Sequence, residues 1–452
     1  MTALIILAIA LIVLVALALA DVPVALALLA AGGLGLIMLR NDGYAFNTLA
    51  NQPFSTSSSF ALTLIPMFII MGMFVVQAGI ASDVYVFAAR VFGRFRGGLG
   101  YATVAATAGF SAVTGSSAAT VATIGRISIH EMRKHGYSPG FAASIVAASG
   151  TLGILIPPSI VLVIYGTLSG ESIGELLVAG IIPGILSAFM YGLVVWWRAK
   201  SSIGDEHRID EHADTVEPAA DERTLPVRVN TRRQVIAIIE IAVLFLIVIG
   251  GIYSGVFTAT ESGAIAAGAA LVILVLTALF RADVNLRASL TSALRDTTSI
   301  SSMIFLLLIG GGVFAFFIAS GGYARDLAVW VTGLGVPPTL IVIALLLIIL
   351  PLGMVLDSLA ILLITVPLIH PIVTELGFEG IWFAILMVKM VEIGLLTPPV
   401  GLNVFVVAGS SPGIRVEDVF RSIWPFVIAE FTVIAILFAA PDLVTWLPSH
   451  VS

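Results

Sequence analysis

The sequence contains no cysteine. Disulfides, iron–sulfur clusters and thiolate metal sites are thereby excluded, and thiol usage gives no clue to compartment. Charge is scarce as well: Asp, Glu, Lys and Arg make up 11% of the 452 residues, against 59% hydrophobic residues and a mean hydropathy of +1.12. No sizeable soluble domain fits such a chain. The net charge of −6 says little, and no nucleic-acid partner is expected. Metal spacing is also missing, since none of the six histidines falls in an H-E-x-x-H pattern. The string GSSAAT at residues 115–120 is not a G-x-S-x-G nucleophile elbow, and no triad partner is visible. The chain is therefore not expected to be an enzyme; an intramembrane serine hydrolase and a passive anion channel are the rival readings.

What is present is a succession of apolar runs, many near the roughly 20 residues that cross a bilayer as a helix. They fall near 2–20, 22–39, 60–80, 99–125, 141–166, 173–197, 234–256, 258–280, 299–320, 339–371, 381–408 and 422–447. This is an all-α polytopic membrane protein. Residues 2–20 end in Ala18-Leu19-Ala20, which resembles a cleavage site, but no Lys or Arg precedes them and a second apolar run follows at once. A retained span is expected. Residues 200–233 form the one charged, apolar-poor interruption, flanked by Arg198 and Lys200 on one side and Arg232 and Arg233 on the other. By the positive-inside rule they read as a flexible cytoplasmic linker between a first half, 1–199, and a second, 234–452.

The halves repeat one another. An offset of 241 aligns Ser117 with Ser358, Gly136 with Gly377, Gly153 with Gly394, and Pro157-Pro158 with Pro398-Pro399, without a gap. One residue more aligns Gly79 with Gly321 and Pro183 with Pro425. Matching Gly/Pro-broken segments in two halves point to the binding site of a secondary transporter. Each stretch, TLGILIPPSI and EIGLLTPPVG, reads as the tip of a re-entrant hairpin. Proline withholds a donor and glycine permits a tight turn, so carbonyls there lose helical partners. Bare backbone at membrane depth is tolerated only against protein or a polar cavity. Such carbonyls, with hydroxyls beside them, suit a monovalent cation, and sodium is the natural candidate.

A second polar cluster lies 41 residues before each tip: Ser116 before Pro157, and Asp357 before Pro398. Thr114, Ser116, Ser117 and Thr120 crowd the first, either to let helices pack closely or to bind an ion. A carboxylate at mid-bilayer is unfavourable by about 2.5–3.5 kcal/mol unless paired. Sodium held by Asp357, Thr397 and hairpin carbonyls would offset that. Lys389 and Glu392, three apart, form either an internal ion pair or, through Lys389, a positive charge for an anionic substrate. Glu261 after Thr258 reads as a helix-start cap.

Nearly the whole chain resembles the DctM-type large permease of the tripartite ATP-independent periplasmic (TRAP) transporters. The matching stretches are DVPVALALLA, IPMFIIMG, RFRGGLGYA, the long block from GSSAATVATIGRISIHEMRKHGYSPG to IPPSIVLVIYG, AGIIPGIL, GVFTATESGAIAA, LGMVLDSLAILLITVPLIHPIV and VEIGLLTPPVGLNVFV. The resemblance implies an inner-membrane elevator-type sodium symporter with two inverted repeats, each with a re-entrant hairpin, one near 141–166 and one near 381–408. It places one sodium ion at Gly115, Ser116, Ser117, Gly153 and Pro157, and a second at Gly353, Asp357, Gly394, Thr397 and Pro398. Substrate would lie between the tips, near Thr114, Pro158, Ser159, Lys389, Pro399 and Asn403. The implied partners are a DctQ-type small membrane subunit as a separate chain, a DctP-type periplasmic binding protein and an organic acid. The long acidic linker is a departure to which the family assigns no role.

Overall fold

A computed structural model describes residues 2–202, 231–281, 284–333 and 335–450. Residues 203–230 of the expected linker lie outside the described residues. Every regular element among the described residues is helical. The first half contains α1 (Thr2–Leu19), α2 (Val24–Leu39), α3 (Asp42–Ser57), α4 (Leu64–Gln77), α5 (Ile80–Phe92), α6 (Gly98–Thr114), α7 (Ser117–Lys134), α8 (Pro139–Gly150), α9 (Leu152–Leu155), α10 (Ile160–Ser169), α11 (Ile173–Ala179) and α12 (Ile181–Ser202). The second contains α13 (Thr231–Phe245), a π turn over Leu246–Gly250, α14 (Gly251–Tyr253), α15 (Ala259–Phe280), α16 (Leu286–Gly321), α17 (Tyr323–Thr332), α18 (Pro338–Gly353), α19 (Ser358–Glu375), α20 (Gly380–Leu396), α21 (Leu402–Ser410), α22 (Val416–Ala439) and α23 (Asp442–Thr445).

By length and apolarity, seven helices among the described residues suffice to cross a bilayer, or eight if the bent pair of Pro139–Leu155 and Ile160–Ser169 counts as one span. Two expected segments are not continuous. The run 99–125 divides at Gly115-Ser116, and 339–371 divides between Gly353 and Ser358. Three helices, α3, α5 and α17, fall between the apolar runs: α3 is mostly polar, and α5 and α17 bury only one face.

The repeat is visible in the elements. Helices α7 and α19 both have 18 residues, and each starts just after a break. The hairpin expected near 141–166 is not a reversal: Pro139–Leu155 and Ile160–Ser169 meet at the double proline with a bend of 43°, because proline withholds a few helical bonds without turning the chain back. Helices α20 and α21 likewise divide at their double proline, and both breaks have a cis Pro–Pro bond. The second arm of each broken pair crosses to the other half: α10 packs on α19, and α21 on α7 and α8. Helix α20 is buried along its whole length. Around this centre lie α1, α2, α4, α15 and α16, packed on one another. Where the second half begins, Arg233 bonds Asp83 of α5 at 3.1 Å and Glu240 at 2.8 Å.

Candidate functional site

The first break follows from two adjacent residues. Gly115 has φ +60°, a conformation glycine adopts without a Cβ penalty, and a Cβ built there would sit 2.5 Å from the Pro158 carbonyl oxygen. Ser116 is extended, and its hydroxyl accepts the Ala119 N–H at 3.4 Å to cap α7. The break thus receives the double-proline turn between α9 and α10. A Cβ on Gly153 would meet the Ser116 carbonyl oxygen at 3.2 Å and Ser111 Oγ at 3.3 Å. Pro157 has no N–H for the Gly153 carbonyl, and Pro158 has none for Ile154. The Ile154 carbonyl accepts the Ser159 hydroxyl instead.

The second break has different chemistry. Asp357 caps α19, its Oδ1 accepting the N–H groups of Leu359 at 2.8 Å and Ala360 at 3.3 Å. A carboxylate at a helix N-terminus is favoured both by those donors and by the helix dipole. Gly353 and Gly394 meet backbone to backbone, so that a Cβ on Gly353 would lie 3.0 Å from Gly394 Cα. The N–H groups of Val400 and Gly401 point to the Met354 carbonyl at 3.3 and 3.4 Å. Thr397 ends α20; its N–H donates to Gly394 at 3.0 Å and its hydroxyl to Ile393. Pro399 is exposed, whereas Pro157, Pro158 and Ser159 are buried.

The structure brings Gly115, Ser116, Gly153 and Pro158 together in the first half, and Gly353, Gly394 and Thr397 in the second. Asp357 lies at the second break, and the bonds its carboxylate makes are to α19. Ser117 and Asn403, assigned different roles by the sequence, are joined: Asn403 Nδ2 donates to Ser117 Oγ at 2.7 Å, with the Ala147 carbonyl at 3.5 Å, and Asn403 is 1% exposed. Thr114 pairs with Thr120 at 2.8 Å. Ser159 caps α10 through the Leu162 N–H at 3.2 Å. The Ser159 and Asn403 side chains therefore engage protein groups rather than an open substrate space.

Lys389 requires a correction. The placement near substrate fails because its ammonium is fully enclosed, bonded to Glu392 at 2.7 Å, to Ser187 at 2.9 Å and to Glu430 of α22. The internal ion pair is the arrangement present, with a third member that sequence reasoning missed. Its signal was a lone acid in the apolar run FVIAEFTVI. Glu261 forms the expected cap, a reciprocal capping box with Thr258.

Two like halves, each with a broken helix beside a double-proline turn, define an all-α polytopic membrane protein. The family model described as tripartite ATP-independent periplasmic transporter, DctM component, matches residues 11–443. The chain belongs to this family: it is a transport permease and not an enzyme, and a multi-pass protein of the cell inner membrane. It is 34% identical over 425 residues to the C4-dicarboxylate TRAP transporter large permease protein DctM of Pseudomonas aeruginosa, covering 93% of each chain. The sialic acid TRAP transporter large permease protein SiaM of Vibrio cholerae is 30% identical over 421 residues, covering 91% of each. Among solved structures, the YdaH transporter of Alcanivorax borkumensis has a similar fold, with TM-score 0.60, 14% identity and 90% of each chain covered.

Proposed function

We propose that this permease imports an organic acid together with sodium, receiving the acid from a DctP-type periplasmic binding protein and working beside a DctQ-type small membrane subunit. The paired breaks carry the reading. Each places a helix start and a double-proline turn side by side, where proline has removed a helical donor from nearby carbonyls; the first is buried and the second partly exposed. Oxygen-only sites of this kind suit a hard cation. One sodium would lie among Ser116, Ser117 and the Gly153 and Pro157 carbonyls. The other would lie among Asp357, Thr397 and the carbonyls near Gly394 and Pro398.

The substrate is an organic acid, with a C4-dicarboxylate as the first choice because the Pseudomonas relative is named for it; sugar acids and keto acids are the neighbouring classes. The inverted halves would work as an elevator, with the hairpins moving against a scaffold that includes α1, α2, α15 and α16. Two sodium ions with a monoanion move one net positive charge inward, and 100 mV then contributes about 2.3 kcal/mol. With a dianion the same cycle is electroneutral.

The test is uptake of a labelled C4-dicarboxylate into proteoliposomes holding the permease and small subunit, with the binding protein outside. Accumulation is expected under an inward sodium gradient and not under a potassium gradient. Equal, purely downhill flux in both salts would overturn coupling and favour a channel.

A further inference from the structure

The hydroxyl of Ser111 is fully buried and has no hydrogen-bond partner. A helical serine or threonine ordinarily returns its proton to a carbonyl three or four residues back. Its neighbours do so: Thr103 bonds the Leu99 carbonyl at 2.8 Å, Thr114 that of Phe110 at 3.3 Å, Ser128 that of Ile124 at 2.8 Å and Ser149 that of Ile145 at 2.6 Å. Ser111 does not. It sits one turn before the Gly115 break, and its oxygen and the Ser116 carbonyl oxygen lie 3.3 and 3.2 Å from the place where a Gly153 side chain would begin. A buried hydroxyl without a partner destabilises a fold, so its retention points to a group that it meets in the working protein.

We infer that Ser111 Oγ is a further ligand of the sodium ion held at the first break, opposite Ser116 and the Gly153 carbonyl; this rests on the sodium reading above. The position suits an ion better than another protein donor. The nearby carbonyls are acceptors, and Pro157 removes the N–H that Gly153 would have received. The Ser111 hydroxyl can donate to one carbonyl only, whereas a cation engages the lone pairs of all these oxygens, the hydroxyl's included, at once. Glycine at 153 is part of the same arrangement, for a side chain there would press on both Ser111 Oγ and the Ser116 carbonyl.

A structural hydroxyl and an ion ligand respond oppositely to Ser111→Ala. A structural hydroxyl would lose stability in any salt. An unpartnered one that serves an ion would leave the protein as stable, or more so, in potassium, and lose only the response to sodium. The experiment is thermal unfolding of the full-length permease in detergent, followed by fluorescence of its six tryptophans during sodium titration at constant ionic strength against potassium. We expect Ser111→Ala to unfold at the wild-type temperature or above in potassium, and to need about tenfold more sodium for half of the wild-type shift. Ser111→Thr, which keeps the hydroxyl, should regain most of the response.

A wild-type protein that responds alike to sodium and potassium would overturn the sodium reading and this inference with it. A sodium-specific wild-type response that Ser111→Ala preserves would leave the sodium reading standing and assign the Ser111 hydroxyl to water or to nothing. Loss of stability in both salts would overturn the inference in favour of a packing role.

Discussion

Asp357 has two roles that a single substitution separates. As an N-cap it holds the first turn of α19 by accepting two N–H groups, and asparagine caps about as well as aspartate. As a sodium ligand it supplies negative charge, which asparagine does not. Asp357→Asn should therefore lower the unfolding temperature little, while raising the sodium concentration required for uptake severalfold. Unchanged sodium dependence would remove Asp357 from the site. Lys389 gives the opposite pattern. Glu392 and Glu430, both 0% exposed, share its ammonium, so Lys389→Met leaves two buried carboxylates without their cation, a loss of about 3–5 kcal/mol. The variant should yield little folded protein on size-exclusion chromatography, and adding Glu392→Gln and Glu430→Gln should recover part of it. A well-folded Lys389→Met protein with weakened substrate affinity would return the lysine to the substrate site.

Among the elements, the breaks and tips were the most legible in the sequence, because glycine and proline act locally. The double prolines announce interrupted helices, and their recurrence at a fixed offset located both breaks; whether the chain reverses at such a break is not a local signal, and the first pair bends by only 43°. Helices α3, α5 and α17 were less legible, since polar or one-sided helices fall below a search for apolar runs. The Asn403–Ser117 bond and the Glu430 contact join residues 286 and 41 apart in sequence, and no local pattern records such pairings. Conformation and crowding can be separated at the first break. Gly115 and Gly136 both have positive φ, but a Cβ on Gly136 meets nothing within 4 Å, whereas one on Gly115 meets Pro158. Gly136→Ala should destabilise by about 1–2 kcal/mol from backbone conformation alone, and Gly115→Ala by about 1–3 kcal/mol more from crowding. Equal losses in thermal unfolding would mean that the tip does not press on the break.

At the scale of the whole molecule the two halves are alike in plan and unlike in exposure. The first tip is sealed at Pro157, Pro158 and Ser159, while Pro399 and Leu402 at the second are exposed. A membrane-impermeant thiol reagent should thus modify Leu402→Cys faster than Ser159→Cys, and the native chain contributes no cysteine of its own. Equal rates would mean that the first tip opens as readily as the second.

The crossing of these second arms also fixes an order of events during synthesis. Helix α10 rests on α19, whose first residue is made roughly 190 residues after α10 is finished. At about 5–20 residues per second, α10 waits about 10–40 seconds for this resting place. During that interval α10 can rest only on first-half neighbours such as α11, and its α19-facing side has yet to be covered.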